Sequence, residues 1–213
     1  MRALLVTVLL TSALVACGDE PRQPSPIGTD APVIVPGGPG ETARTATPGE
    51  RLGQGPITPA AADVRFAEGM IPHHRQALEM CALAPDRTTT APVLRFAEQI
   101  AVAQQPEITV MSRWLASLGR RVPSGHDHGG AKDMEGYGMA TEAQMRALRA
   151  SKGSAFDRLF LQLMIRHHEG ALKMAEEELA DGKDQRMRVM ARDMYAGQSI
   201  EIARMRATLN ELH

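Results

Sequence analysis

The stretch Met70-Ile71-Pro72-His73-His74-Arg75-Gln76-Ala77-Leu78-Glu79-Met80 decides the fold, because Met164-Ile165-Arg166-His167-His168-Glu169-Gly170-Ala171-Leu172-Lys173-Met174 repeats it. The offset of 94 residues between His73 and His167 also links Met70 to Met164, Met80 to Met174, Gln104 to Gln198, Glu107 to Glu201 and Met111 to Met205. Identical residues at one constant offset, sustained over two successive segments, mark a tandem duplication. Each copy has room for two helices and a short turn.

The apolar spacing supplies those helices. Thr58 reads as an N-cap with Pro59 at the first helical position, and Phe66, Met70, Ala77, Cys81 and Ala84 keep a helical period until Pro85 stops it. Thr90 can cap a second helix carrying Val93, Phe96, Ile100, Met111 and Leu115 and ending near Gly119. Ser154 and Asp157 resemble a capping box, without the usual Glu or Gln, for a third helix running to about Ala180. Gly182 then turns the chain into a last helix with Met187, Met190, Met194, Ile202, Met205 and Leu209. Between the copies lie about 35 residues, roughly Arg120 to Gly153, against the ~2–8 usual between neighbouring bundle helices. A short helix from Thr141 to about Ala150 falls within them. The expected fold is all-α: a ferritin-like four-helix bundle built from two tandem hairpins (about 58–119 and 154–213) with a long crossover connection.

The chain's beginning bears on location. Residues 1–16 read as a signal peptide, with Met1 and Arg2 ahead of an apolar run too short for a comfortable bilayer span. Leu14-Val15-Ala16-Cys17 resembles a bacterial lipobox, which makes Cys17 a lipidation site; the alternative is an ordinary secretory signal. Either places the mature protein outside the cytoplasm, and lipidation anchors it in the cell envelope. Residues 17–57, rich in Pro, Gly and Thr without apolar period, read as a disordered tether, and 58–213 as one domain.

Net charge of −1 and 3% aromatic residues show neither an electrostatic footprint nor stacking platforms for nucleic acid. Cys81 is the only cysteine besides Cys17, so no internal disulfide is expected. Methionine is abundant, with thirteen.

At ~100° per residue, Met70, His73, His74, Ala77, Met80 and Cys81 fall within one sector of ~120°, and the third helix repeats this. The histidines lie near the middles of the first and third helices, Gln104 with Glu107 and Gln198 with Glu201 near the middles of the second and fourth. Midpoints meet at one level, which predicts a layer of four His, two Gln and two Glu inside an otherwise apolar bundle. Unpaired, such groups would cost several kcal/mol. They can satisfy one another, with Glu107 and Glu201 accepting from imidazoles, or they can hold a metal. Two duplicated His pairs flanked by thioethers favour metal, and imidazole with thioether suits copper, above all Cu(I), and also Ag(I).

Other features point less sharply. The stripe of Met187, Met190, Met194 and Met205 reads mainly as core filling; Met111 and Met205, one turn beyond the glutamates, are the better candidates for a site. Cys81 has Ala175 as its counterpart, so no symmetric site requires it. His126 and His128, in a Gly-rich connection, form a weak auxiliary metal loop.

The elements MIPHH-x3-A-x2-M and MI-x-HH-x-GA-x2-M, each followed by Q-x2-E-I-x2-M, resemble the bacterial family called domain of unknown function 305, over essentially everything after the tether. The resemblance implies a ferritin-like bundle, often exported, with some members associated with copper binding and resistance. It points to His73, His74, Met80, His167, His168 and Met174 as motif positions, with Met70 and Met164 opening each motif. The leading reading is an envelope lipoprotein that sequesters or transfers copper, with Gln104, Glu107, Met111, Gln198, Glu201 and Met205 as supporting or additional ligands. It leaves open a transfer partner protein and the oligomeric state. The alternatives are a metal-free bundle that binds a protein partner, and a ferritin-like metal oxidase. The oxidase is disfavoured because di-iron bundles need Glu three residues before His, whereas Met70, Ile71, Met164 and Ile165 stand there.

Overall fold

A computed structural model of the chain describes residues 34–35, 40, 42–46, 58–124 and 135–212. The signal segment, Cys17, His126, His128 and His213 lie outside the described residues. The chain divides into two units, up to Gly55 and from Pro56 onward. In the first, β1 (Ile34–Val35) and β2 (Arg44–Thr45) pair antiparallel, Ile34 opposite Thr45 and Val35 opposite Arg44. This ladder is a local element that the expectation of a structureless tether did not contain. Its β-branched residues suit a strand, and Gly40, with φ of 88°, takes a backbone conformation open to glycine.

The second unit is helical, and among the described residues there are five α-helices: α1 (Ala61–Arg87), α2 (Ala91–Ser117), α3 (Glu142–Ala150), α4 (Gly153–Asp181) and α5 (Gln185–Glu211). A 3₁₀ turn, Glu135–Tyr137, precedes α3. Among the described residues no helix is long and apolar enough to cross a membrane.

Three helix ends differ from the sequence expectation, each for a local reason. α1 starts after Ala60, not Thr58, because the Asp63 carboxylate folds back to accept the Ala60 N–H. It also passes Pro85 and ends at Arg87, since proline removes one donor while Cys81 and Ala84 keep that turn buried. α4 starts after Lys152, and Asp157, expected at a capping box, is buried and accepts a hydrogen bond from the Thr90 hydroxyl. Asp63 and Asp157 are 94 positions apart and do matching work. Asp157 holds the α1–α2 turn, while Asp63 accepts the Lys183 and Asp184 amides of the α4–α5 turn at 2.8 and 2.9 Å. Each hairpin's turn is therefore tied by a buried carboxylate from the other hairpin.

α1 packs along α2 and α4 along α5, and the two hairpins meet chiefly through α1 and α4. The core falls into two apolar clusters. One joins Ala77, Met80 and Ala84 of α1 to Phe96 and Ile100 of α2, Phe156, Phe160 and Met164 of α4, and Met205 of α5, with Met145 and Leu148 of α3 beneath them. The other joins Phe66, Met70 and Ile71 of α1 to Met111 and Trp114 of α2, Met174 of α4, and Met187 and Met194 of α5. The start of α1 thus lies beside the end of α4: the two helices run antiparallel. Each fully buried large side chain contributes roughly 1.5–3 kcal/mol. Between the clusters lie the histidines.

Candidate metal centre

His73 and His74 on α1 and His167 and His168 on α4 are all fully buried, as are Gln104 on α2 and Gln198 on α5 to within a few per cent. Antiparallel packing of α1 on α4 brings the equivalent positions together, so that the His73 and His167 rings lie 3.6 Å apart between centroids, tilted by 30°. Within each pair the centroids stand 6.4 and 6.3 Å apart. Two imidazoles sharing one ion through bonds of ~2 Å have centroids up to ~6 Å apart. The pairs are near that limit, whereas the His73–His167 contact is a stacking distance.

The outer ring of each pair has a carboxylate partner. His74 Nε2–H donates to Glu107 Oε2 at 2.8 Å, and His168 Nε2–H donates to Glu201 Oε2 at 2.9 Å. The same residues at the same offset make both bonds. His73 Nε2–H donates to the Tyr137 carbonyl at 2.9 Å. Carbonyl and carboxylate oxygens only accept here, so each bond puts a proton on Nε2, and whenever the ring is neutral the lone pair sits on Nδ1.

No donor reaches those lone pairs. Nδ1 of all four histidines, Nε2 of His167 and Oε1 of Gln104 and Gln198 are buried without a hydrogen-bond partner. At about 1–3 kcal/mol for each unsatisfied group, such a layer would consume a large part of the ~5–15 kcal/mol that holds a domain folded. Burial, and next the neighbouring His74, push His73 down to about 3, against the opposing pull of the Tyr137 carbonyl. Burial likewise holds His167 well below its ordinary value. Both rings are neutral near pH 7, the state in which imidazole binds a metal.

The motif methionines are also distributed by the crossing of α1 and α4. Met70, Met174 and Met111 belong to the cluster on one side of the layer, Met164, Met80 and Met205 to the cluster on the other, all buried. Both sides receive one methionine that opens a motif, one that closes a motif and one from the second helix of a hairpin. Among the described residues no group of three or more His, Cys, Asp and Glu side chains forms a ready cation cage. What converges is imidazole in pairs with thioether-rich surroundings, a donor set for a soft ion of low coordination number. Cys81 is buried, and burial with the charge of Glu201 pushes its thiol up to about 12, so it stays protonated. Met187 and Met194 are core residues, with Met190 half-buried at the edge of the same cluster.

Sequence reasoning missed the Tyr137 carbonyl and the residues that deliver it. The available signal was Gly170, a glycine inside the helical histidine motif where the first copy has Gln76. A Cβ there would overlap the Tyr137 carbonyl.

A duplicated helical hairpin whose two buried His pairs form a polar layer between methionine-rich clusters defines the class of protein. The model of the domain of unknown function DUF305 matches residues 63–209, and the chain belongs to this family. A Streptomyces coelicolor protein described as secreted and as DUF305 is 34% identical with a TM-score of 0.65, covering 71% of this chain and 93% of its own. A DUF305 fragment from Deinococcus radiodurans is 29% identical with a TM-score of 0.65, covering 72% and 99%. CopM in a Cu(I)-bound form is 27% identical with a TM-score of 0.59, covering 71% and 97%, and was also crystallised in Cu(II)-bound, Ag-bound and apo forms. No curated protein sequence matches the chain.

Proposed function

We propose that this protein binds copper, Cu(I) foremost, at the histidine layer, and that it stores or transfers the ion outside the cytoplasm from a lipid anchor at Cys17. The carrying observation is the set of buried, unpartnered Nδ1 atoms on His73, His74, His167 and His168. Three of these rings have Nε2–H donated to oxygen, which is how metal-binding histidines are commonly oriented. In this reading the Nδ1 lone pairs are the ligating atoms. Met70, Met80, Met164 and Met174 supply soft sulfur, with Met111 and Met205 as further thioethers. Glu107 and Glu201 orient His74 and His168, and Gln104 and Gln198 border the ion. Soft sulfur with neutral imidazole favours Cu(I) and Ag(I) over hard divalent ions.

The reading is supported by the copper- and silver-bound forms of CopM. The description of the Streptomyces relative as secreted supports an extracytoplasmic setting. Four long helices with a long connection between the second and third support a ferritin-like plan. A metal ion is the primary partner, a transfer protein a further one, and nucleic acid is none.

Equilibrium dialysis of the tether-free domain against Cu(I) and Ag(I), beside a variant with His73, His74, His167 and His168 changed to Ala, tests it. Binding is expected only with the histidines present. Equal uptake by both proteins would remove the layer from the function, and an unchanged melting temperature with metal would favour a layer that only sets helix register.

A further inference from the structure

The duplication breaks at one place in the layer. His73 and His167 are equivalent by sequence, yet His73 Nε2 is bonded to the Tyr137 carbonyl and neither nitrogen of His167 has a partner. The carbonyl belongs to the crossover connection, whose residues 136–140 are fixed to both hairpins. On the α1 side, the Gln76 amide pairs with Ala140 at both ends, Nε2 donating to its carbonyl at 2.8 Å and Oε1 accepting its N–H at 2.7 Å. On the α4 side, the Tyr137 hydroxyl donates to Glu177 at 2.7 Å and Lys173 lies over the ring at 4.9 Å. Backbone meets backbone there as well: a Cβ on Gly170 would overlap the Tyr137 carbonyl, and one on Gly138, at φ of 72°, would overlap the Arg166 carbonyl. Gln76 and Gly170 occupy the same place in the two copies. One binds the strap by its amide, the other admits it by lacking a side chain. The second hairpin cannot repeat the arrangement.

We propose that this strap is a positioning device for His73, and that it makes the two His pairs unequal. The backbones of His73 and His167 each act on the other's ring, but only His73 has the Tyr137 carbonyl as well, which commits it to the Nε2–H tautomer and so presets its Nδ1 lone pair, while no comparable bond commits His167. The His73–His74 pair, with both Nε2–H groups held, is the half of the layer that an incoming soft ion fills first. The tautomer stands independently of metal; the filling order rests on the copper reading.

Long-range 1H–15N correlation spectra of the metal-free domain separate the two. At neutral pH His73 is expected purely in the Nε2–H form with a slowly exchanging proton, and His167 as a mixture. Gly170→Ala, which must lift the strap, is expected to convert His73 to a mixture and leave His74 and His168 unchanged. Gln76→Ala releases the strap from α1 instead, and serves if Gly170→Ala does not fold. An Nδ1–H form of His73 in the unaltered protein, or an unaltered His73 tautomer in a folded strap variant, overturns the proposal. Ag(I), redox-silent, is then titrated into the same samples. His73 Nδ1 is expected to shift before His167, with affinity at that pair about 10-fold lower once the strap is lifted. Filling of the His167–His168 pair first overturns the order. No silver-induced shift at any ring would sink the copper reading alone, because the apo tautomer still decides the strap.

Discussion

Glu107 and Glu201 sit partly in solvent and each reaches inward to one buried imidazole, so each can be altered while the histidine proposed as a ligand stays in place. Glu107→Gln can no longer accept as an anion, and is expected to lower Cu(I) or Ag(I) affinity by about 10–100-fold with little change in fold; competition with a chromogenic chelator measures it. Glu178 presents a second kind of buried carboxyl. It is almost fully buried, and burial, then a hydrogen bond shared with the Asp63 carboxyl and the Asp63 charge, push it up to about 8, with Arg188 pulling the other way and Asp184 adding to the rise. A carboxyl raised on folding makes the native state hold a proton that the unfolded state has released. The resulting stability is fully present below about 4.5, the ordinary value, and is lost as pH rises through about 8. Denaturation midpoints should therefore fall between pH 5 and 9 in the unaltered protein and fall less in Glu178→Gln. Parallel curves for the two would show that Glu178 is charged in the native state.

Helix α5 carries Gly197 at a position where an added Cβ meets nothing, and the equivalent residue in α2 is Ala103. Glycine in a helix interior is destabilising by roughly 0.5–1 kcal/mol relative to alanine. Gly197→Ala should raise the melting temperature by a few degrees, whereas Gly170→Ala should lower it, and thermal unfolding of the pair distinguishes open space from a filled contact. Helices α1 and α4 carry the reciprocal clamps. Asp63 accepts three backbone amides at the start of α1 and the α4–α5 turn, while Asp157 holds one hydroxyl. Replacing either by Ala leaves part-buried groups without that partner, at most about 1–3 kcal/mol each. Asp63→Ala should therefore cost more than Asp157→Ala in urea unfolding, and an equal or opposite ranking would show that the amides find other partners.

At the scale of the molecule, the polar layer divides two apolar cores that would otherwise merge, so apo stability and metal response are coupled. An ion that satisfies the Nδ1 atoms prefers the folded state, and 100-fold excess over its dissociation constant adds at most about 2.7 kcal/mol, less whatever it gains on the unfolded chain. Calorimetry with Ag(I) should show that rise in the unaltered domain and none in the four-histidine variant. How much of this was legible differs by feature. The helices, the duplication and the layer were readable, because a 3.6-residue period and a constant offset are properties of the chain itself. Midpoint register also put Glu107 and Glu201 within reach of the imidazoles, but which ring each carboxylate takes, His74 and His168, came only from the packing. The strap was not readable, since Tyr137 reaches His73 across 64 positions through an irregular segment with no period to follow. Asp63 and Glu178 were missed for the same reason: a charged residue in a helix's first or last turn ordinarily faces water, and nothing local says otherwise.

Composition and spacing alone determined that this chain makes long amphipathic helices in two matched hairpins, with imidazoles and thioethers on their inner faces, because side-chain direction follows from helix geometry. Only the tertiary structure decided that α1 and α4 cross antiparallel at His73 and His167, and that the crossover seats a carbonyl on one of those rings and not the other. Those outcomes depend on which surfaces meet, and that is settled by packing between residues far apart in the chain.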